Sequence, residues 1–149
     1  MFKVTFENGL SRIGRLILKR KIVKTPILWI SYEFFNPPNL WKYVKIDGLL
    51  VNVHNIINTK NLLIRLKQVH DLRKVIGFKG SLMLDCGGVK FARRQETYDV
   101  KHILNLYPII KPDIIVSADY PISPEKSLIE NLQRKKKNAR QPQRNCKRN

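Results

Sequence analysis

Three short apolar runs with the composition of β-strands recur along the chain at intervals of about 33 residues, the length of one strand–helix–strand unit. They lie at residues 49–53, 82–84 and 114–117. Near-continuous apolar strands are typical of a parallel sheet whose faces are covered by helices. This recurrence therefore predicts an α/β fold built on a parallel sheet.

The segments between the runs have the apolar periodicity of helices. A helix that Thr59 can cap carries apolar residues at spacings of three and four as far as Ile76. A second helix begins near Tyr98, and we expect Pro108 and Pro112 to terminate it before the third run. Helices between parallel strands are the connections that such a sheet requires.

The first 45 residues have a different pattern. Residues 2–6 alternate between apolar and polar, and the Asn8-Gly9 pair that follows is typical of a tight turn. Residues 14–23 form a second candidate strand. The sequence thus predicts a small N-terminal β element in front of the α/β repeats.

Positive charge is concentrated at the C-terminus. The chain has 29 Lys and Arg against 11 Asp and Glu, and residues 134–149 hold eight of the basic residues and no acidic one. The first four are Arg134, Lys135, Lys136 and Lys137. We predict a folded domain over residues 1–133 and a disordered basic tail over 134–149 that binds nucleic acid by counterion release. A solvated tail without function, or a frameshift product, is the alternative.

Several protein classes are excluded by composition. Two cysteines, Cys86 and Cys146, are too few for a disulfide-stapled domain or a four-ligand zinc site. The longest apolar stretches fall far short of the roughly 20 residues of a membrane span, and the N-terminus lacks a secretory pattern. We expect a cytoplasmic protein with reduced thiols and no membrane partner.

Polar residues follow the predicted strands at the points where ligands bind in parallel sheets. His54 follows the first strand, Asp85 the second, and Asp119 the third. Carboxyl ends of parallel strands share one edge, so these groups should lie close together. Gly87 and Gly88 let the backbone approach a planar ligand. Two carboxylates and an imidazole at one edge predict acid/base chemistry or recognition of a hydrogen-bond donor.

Each of these residues also has a purely structural interpretation. Asp85 and Asp119 are of the type that caps the helix after a strand. A single histidine such as His54 is more often a satisfied structural residue than a catalyst. Cys86 is typical of a small buried side chain.

Residues 84–90, with the sequence LDCGGVK, resemble the hallmark of the tRNA-guanine transglycosylase family, the queuine and archaeosine tRNA-ribosyltransferases. In that family a strand ends in Asp-Ser-Gly-Gly, an aromatic residue and Gln. Residues 111–119 are similar to its Gly-Pro-Asp-Ile strand, which also ends in Asp. Residues 50–54 resemble its Asn-Thr-Tyr-His strand with one residue fewer, and residues 14–16 with 25–26 resemble its N-terminal strand segment.

The resemblance implies a partial (β/α)8, or TIM-barrel-like, sheet preceded by a small β element. It implies base exchange, a pentosyltransferase reaction in which guanine is replaced by a 7-deazaguanine, as in queuosine and archaeosine formation in tRNA. Asp85 would manage the protons of the base, and Asp119 would bind the guanine-like edge. The other substrate-binding residues that it implies are Asn52, His54, Cys86, Gly87 and Gly88.

The chain departs from the family pattern at several points. Val89 replaces the aromatic residue that stacks on the base, Cys86 the serine and Lys90 the glutamine. The Cys-rich zinc site has no counterpart, so we expect no cofactor. The nucleophilic Asp of the family's second half has none either, and a full barrel takes about 250 residues. We therefore expect a truncated or split member that needs a complementary chain or a homodimer for catalysis.

The sequence leaves three functions open, and with them whether the chain is itself an enzyme. The first is a transglycosylase-like protein that binds tRNA and a guanine or 7-deazaguanine base. Because Tyr120-Pro121 departs from the usual tRNA-enzyme pattern, a branch that modifies guanine in DNA is the second. The third is a non-enzymatic basic protein that binds RNA or DNA through backbone charge.

Overall fold

The computed structural model describes residues 1–19, 21–34, 39–93, 100–117 and 120–140. An antiparallel sheet comes first, with strands β1 (Phe2–Asn8), β2 (Ser11–Ile17) and β3 (Ile22–Thr25). Gly9 has φ +57°, the left-handed conformation that the predicted Asn8-Gly9 turn requires. The predicted N-terminal β element is thus confirmed as three strands rather than two.

A four-stranded parallel sheet follows in the order β4-β5-β6-β7. Its strands are β4 (Trp29–Tyr32), β5 (Gly48–Asn52), β6 (Ser81–Asp85) and β7 (Ile114–Ile115). The mixed α/β class is as predicted. The strand order follows the chain without reversal, as in (β/α)8 barrels, but four strands do not close, so the partial barrel remains a prediction.

Helices connect the parallel strands and bury the sheet. They are α1 (Val53–Ile57), α2 (Lys60–Val69), α3 (Leu72–Ile76), α4 (Gly88–Arg93), α5 (Val100–Ile110) and α6 (Leu128–Arg140), with a 3-10 turn at Leu40–Lys42. Val51, Leu82 and Leu84 of the central strands are completely buried, as are Leu66 and Leu72 of the helices. One continuous core therefore lies between the parallel sheet and its helices.

The long helix predicted between residues 59 and 76 is divided in two. His70 adopts φ +52° and ends α2, and the Asp71 side chain accepts a hydrogen bond from Arg73 N at 3.0 Å to cap α3. This cap supports a new helix start that the continuous apolar stripe did not reveal. Gly77, at φ +71°, ends α3.

Of the two prolines expected to terminate α5, Pro108 lies inside the helix, which ends at Ile110, before Pro112. Ile103, Leu106 and Ile110 occupy one buried face of α5. Burial of Ile110 holds the last turn against the core and outweighs the backbone hydrogen bond that proline cannot donate. Lys111, whose φ is +53°, directly follows the helix.

The C-terminal helix α6 extends into the segment that we predicted to be disordered. Its start is a capping box, in which Ser127 Oγ accepts from Glu130 N at 3.2 Å and Glu130 Oε2 accepts from Ser127 N at 3.1 Å. Residues 134–140 of the predicted tail are therefore helical, and its remaining residues, 141–149, lie outside the described residues. No helix in the described ranges has the length and apolar character needed to cross a membrane.

Candidate functional site

Asn52 and Asp85 end the two central parallel strands and face each other in the ladder. Asn52 Nδ2 donates a hydrogen bond to Asp85 Oδ2 at 2.6 Å, and Asn52 Oδ1 accepts one from His54 N at 2.9 Å. The second bond caps α1. One amide thus fixes both the start of a helix and the orientation of a partly exposed carboxylate.

Gly87 brings the backbone close to this pair. Its φ of +84° is favourable only for glycine, and a Cβ there would lie 2.7 Å from Asn52 Oδ1. Gly88 is buried and begins α4. Glycine is therefore required at position 87 for both conformation and space, as expected if it shapes the floor of a site.

Cys86 and Tyr107 adjoin the Asp85 carboxylate. Cys86 is a buried thiol whose Sγ lies 3.9 Å from Asp85 Oδ1. Burial, together with the nearby Cys86 and Asp85, raises the pKa of the Tyr107 phenol to about 12. The Tyr107 phenol of α5 therefore lies close enough to the site to respond to its charges, which the sequence pattern did not reveal.

Lys90, in the helix after β6, contacts residues that follow two other strands, β4 and β5. Its Nζ lies 2.7 Å from Glu33 Oε1, just after β4, and 3.0 Å from Asn55 Oδ1 in α1. The Lys90 ammonium lowers the pKa of the Glu33 carboxyl by hydrogen bonding and by charge. Three successive parallel strands thus place polar groups at one edge: Glu33, Asn52 and Asp85.

The two other residues predicted at this edge have different outcomes. His54 lies in the first turn of α1 rather than in a loop after the strand, and its side chain is 2% exposed. Its Nε2 is 3.1 Å from Asn58 Nδ2, so the structure places the imidazole in the packed interior. Asp119 lies outside the described residues, so its predicted position beside Asp85 remains a prediction.

A hollow of about 300 Å³ lies beside α4, between Val89, the 121–126 segment and Arg134 of α6. Val89 is half exposed. Asp85 does not line this hollow. The structure therefore shows space next to the glycine turn but does not connect that space to the carboxylate.

The four predicted nucleic-acid-binding residues lie on α6 and divide into two pairs. Arg134 donates a hydrogen bond to the Pro121 carbonyl, and Lys137 Nζ lies 5.1 Å from the centre of the Tyr120 ring. Lys135 and Lys136 are exposed. Arg134 and Lys137 therefore contact the segment that precedes α6, whereas Lys135 and Lys136 are directed to solvent.

No family model matches this chain. It is 25% identical over 146 residues to a tRNA-guanine(15) transglycosylase of Methanococcus aeolicus. The matched region covers 90% of this chain and 22% of that protein, so the chain spans about a fifth of the relative's length. This similarity points to the same family that residues 84–90 resemble and is consistent with a match to one part of such a protein.

The arrangement at the strand ends is suited to hydrogen bonding and proton transfer. A carboxylate that is oriented by one neutral amide, partly exposed and beside a close backbone turn can accept hydrogen bonds from a planar donor edge. Within the described ranges, no three His, Cys, Asp or Glu side chains are grouped so as to hold a metal ion.

Proposed function

We propose that the carboxyl edge of the parallel sheet binds a guanine or 7-deazaguanine base and that the protein acts in base exchange of the tRNA-guanine transglycosylase type. The observation that carries the proposal is the orientation of Asp85 by Asn52, with Nδ2 and Oδ2 2.6 Å apart. The similarity to the archaeal tRNA-guanine(15) transglycosylase over 90% of the chain supports the same assignment.

Each polar group has a separate role in this proposal. Asp85 accepts or returns a proton of the bound base, because its carboxylate is partly exposed and held in one orientation. Asp119 binds the guanine-like edge, and Gly87 keeps the floor of the site free of a side chain. The nucleophile that displaces the base comes from outside the part described, through a further segment or a second chain.

The substrate that we propose is tRNA, as the name of the relative indicates for that protein. Net charge of +18 favours a polyanionic partner of either kind. The same charge supports a second candidate function, a non-enzymatic RNA- or DNA-binding protein in which Asp85 has only a structural role. A DNA substrate in place of tRNA is the third arrangement that the test must distinguish.

Thermal unfolding with and without free bases tests the proposal directly. A ligand of the folded state at ten times its Kd stabilises the protein by about 1.4 kcal/mol. Guanine and 7-deazaguanine should raise the Tm by a few degrees, and adenine should not. Asp85→Asn should lose this shift, whereas Asp47→Asn, a matched change in front of β5, should keep it.

The two candidate functions give opposite results in this experiment. No shift with any base, together with salt-sensitive RNA binding that survives both Asp85→Ala and Asp119→Ala, would favour the non-enzymatic protein. A shift with guanine that both Asp85→Asn and Asp47→Asn retain would place the base elsewhere. Competition between a tRNA and a DNA duplex of equal charge would then identify the nucleic acid.

A further inference from the structure

Three basic side chains form a row across one face of the N-terminal sheet. Lys3 of β1 is paired with Arg15 of β2, and Arg15 is paired with Lys24 of β3. Directly opposed residues of antiparallel strands project from the same face. Since neighbouring strands are about 4.8 Å apart, the three Cα atoms lie within about 10 Å. We call this row the cationic ladder.

No ion pair in the described part of the chain offsets the repulsion among the three charges of the ladder. All three residues are exposed, and none forms an ion pair with any carboxylate in the portion of the chain that the structure describes. Glu7 pairs with Arg12 at the far end of the hairpin and does not reach the row. Like charges directly opposite one another destabilise a sheet. A destabilising arrangement of like charges that no other contact offsets is typical of a functional surface.

Apolar groups flank the ladder on the same face. A register shift after Val4 brings Phe6 opposite Ile13, which alternates with Arg15 along β2 and so shares its face. The side chains of Phe6 and Ile13 are 57% and 47% exposed. Val23, on the opposite face of the sheet, is buried. The face with the ladder is therefore the outer one, and it combines regularly spaced cations with an exposed aromatic ring.

We propose that the cationic ladder binds the phosphate backbone of a single nucleic-acid strand, with Phe6 as a stacking surface for a base. Evenly spaced cations match the even spacing of phosphates, and an exposed aromatic ring beside them is the combination that single-strand binding uses. A protein partner would have to supply a matching row of carboxylates, whereas a nucleic-acid strand supplies both regularly spaced phosphates and bases that stack on the ring.

This surface is independent of the proposed base site. Lys24 lines a hollow of about 250 Å³ together with Lys45 and Asp47, which lies directly in front of β5. The ladder is thus at the amino-terminal side of the parallel sheet, whereas Asp85 ends β6. The ladder can be confirmed or overturned without any assumption about base exchange.

The test compares two charge-matched triple variants of the full chain. Lys3→Gln/Arg15→Gln/Lys24→Gln removes the ladder, and Lys60→Gln/Lys67→Gln/Lys74→Gln removes three exposed charges from α2 and α3. Binding of a fluorescent 12-nucleotide single-stranded RNA is followed by anisotropy at several salt concentrations. Loss of three phosphate contacts should weaken binding roughly tenfold and reduce the slope of log K against log salt by about 2.

Phe6 provides a second, uncharged test. Phe6→Ala should weaken RNA binding roughly tenfold with an unchanged salt slope, and Phe6→Tyr should keep the affinity of the wild type, because stacking depends on the aromatic ring.

Circular dichroism provides the folding control for the ladder variant. Its melting temperature should be no lower than that of the wild type, since like-charge repulsion is removed.

Two results would overturn the proposal. Equal losses of affinity and of salt slope in both triple variants would mean that only net charge matters. Retention of RNA binding by the ladder variant, with loss of binding to phosphatidylserine vesicles, would assign the face to a membrane surface instead.

Discussion

The amide of Asn52 hydrogen-bonds the carboxylate of Asp85 across neighbouring parallel strands, with Nδ2 and Oδ2 2.6 Å apart. The same amide caps α1 through its oxygen, which accepts from His54 N. Donor and acceptor point in different directions, so substitutions can remove one function and keep the other. The capping role makes the orientation of Asp85 a direct consequence of how the β5–α1 turn folds.

Substitution of Asn52 should separate these two roles. Asn52→Ala removes both bonds and should lower the free energy of unfolding by about 1–2 kcal/mol, the value of a lost cap. Asn52→Asp keeps the cap but places a second carboxylate against Asp85, which raises the folded-state pKa of the pair. Stability from a raised pKa is present at low pH and is lost as pH rises through it.

The destabilisation caused by Asn52→Asp should therefore grow between about pH 4 and pH 7, whereas that of Asn52→Ala should stay nearly constant. Urea unfolding at several pH values in this range measures the free energy of unfolding of both variants. Parallel pH profiles for the two variants would show that Asp85 and residue 52 do not interact as the structure indicates.

Gly87→Ala should destabilise the protein more than Gly77→Ala. Both positions have a left-handed backbone, at φ +84° and +71°, so both variants should lose about 1 kcal/mol or more from strain. At position 77 nothing lies within 4 Å of an added Cβ, but at 87 that Cβ meets Asn52 Oδ1 at 2.7 Å. Urea unfolding of the two variants isolates the steric part, and equal losses would contradict the close approach.

The phenol of Tyr107 should titrate with a pKa of about 12 because it is buried near Cys86 and Asp85. A raised folded-state pKa means that its contribution to stability is complete below about pH 10, the unfolded value, and is lost as pH rises toward 12. Tyr107→Phe should remove this alkaline loss. Ultraviolet difference absorbance measures the titration.

Asp85→Asn provides the site-specific control for Tyr107. Loss of the nearby negative charge should lower the pKa of the phenol, whereas Asp47→Asn should leave it unchanged. An unchanged Tyr107 titration in Asp85→Asn would mean that the phenol does not sense the carboxylate.

Asp113 and Arg73 form a buried ion pair, with Arg73 Nη1 2.6 Å from Asp113 Oδ2, that ties α3 to the residue directly before β7. The same Oδ2 accepts from Leu82 N at 2.9 Å. Asp113→Asn removes the nearer of two carboxylates beside the buried Arg73 guanidinium, the other being Asp71 with Oδ1 3.7 Å from Nε, and should cost about 3 kcal/mol in urea unfolding. Glu7→Gln, which breaks an exposed pair, should cost less than about 1 kcal/mol.

A double-mutant cycle completes this test. The loss of stability in Arg73→Met/Asp113→Asn should be smaller than the sum of the losses in the two single variants, because neither member of this pair then remains without the other. Additive losses would show that the two side chains do not interact.

Much of the strand and helix content could be predicted from local pattern. The apolar runs at 49–53 and 82–84 correspond to β5 and β6, within one or two residues, because buried strands need continuous apolar sequence. The interruption at His70 was missed because the apolar stripe continues across it. The helix was expected to end at Pro108, but packing of Ile110 outweighs the preference of proline for positions outside a helix interior.

The candidate site was predictable in part. Asp85, Gly87 and Asn52 were predicted as site residues from the motifs, and the structure adds the hydrogen bond between Asn52 and Asp85 and the reasons for glycine at position 87. The roles of Glu33, Asn55 and Tyr107 were missed, since each reaches the edge through contacts distant in sequence. Lys90 joins Glu33 across 57 positions of chain, a separation that no local pattern reveals.

The sequence by itself determined the class of this protein, an α/β chain of high positive charge with a carboxylate and a glycine turn after its second central strand. Periodicity and composition act locally, so they are readable without coordinates. Only the tertiary structure decided which polar groups meet: Asn52 with Asp85, Lys90 with Glu33, and Lys3, Arg15 and Lys24 in one row. Strand register sets those neighbours, and register depends on packing of the whole sheet rather than on any single segment.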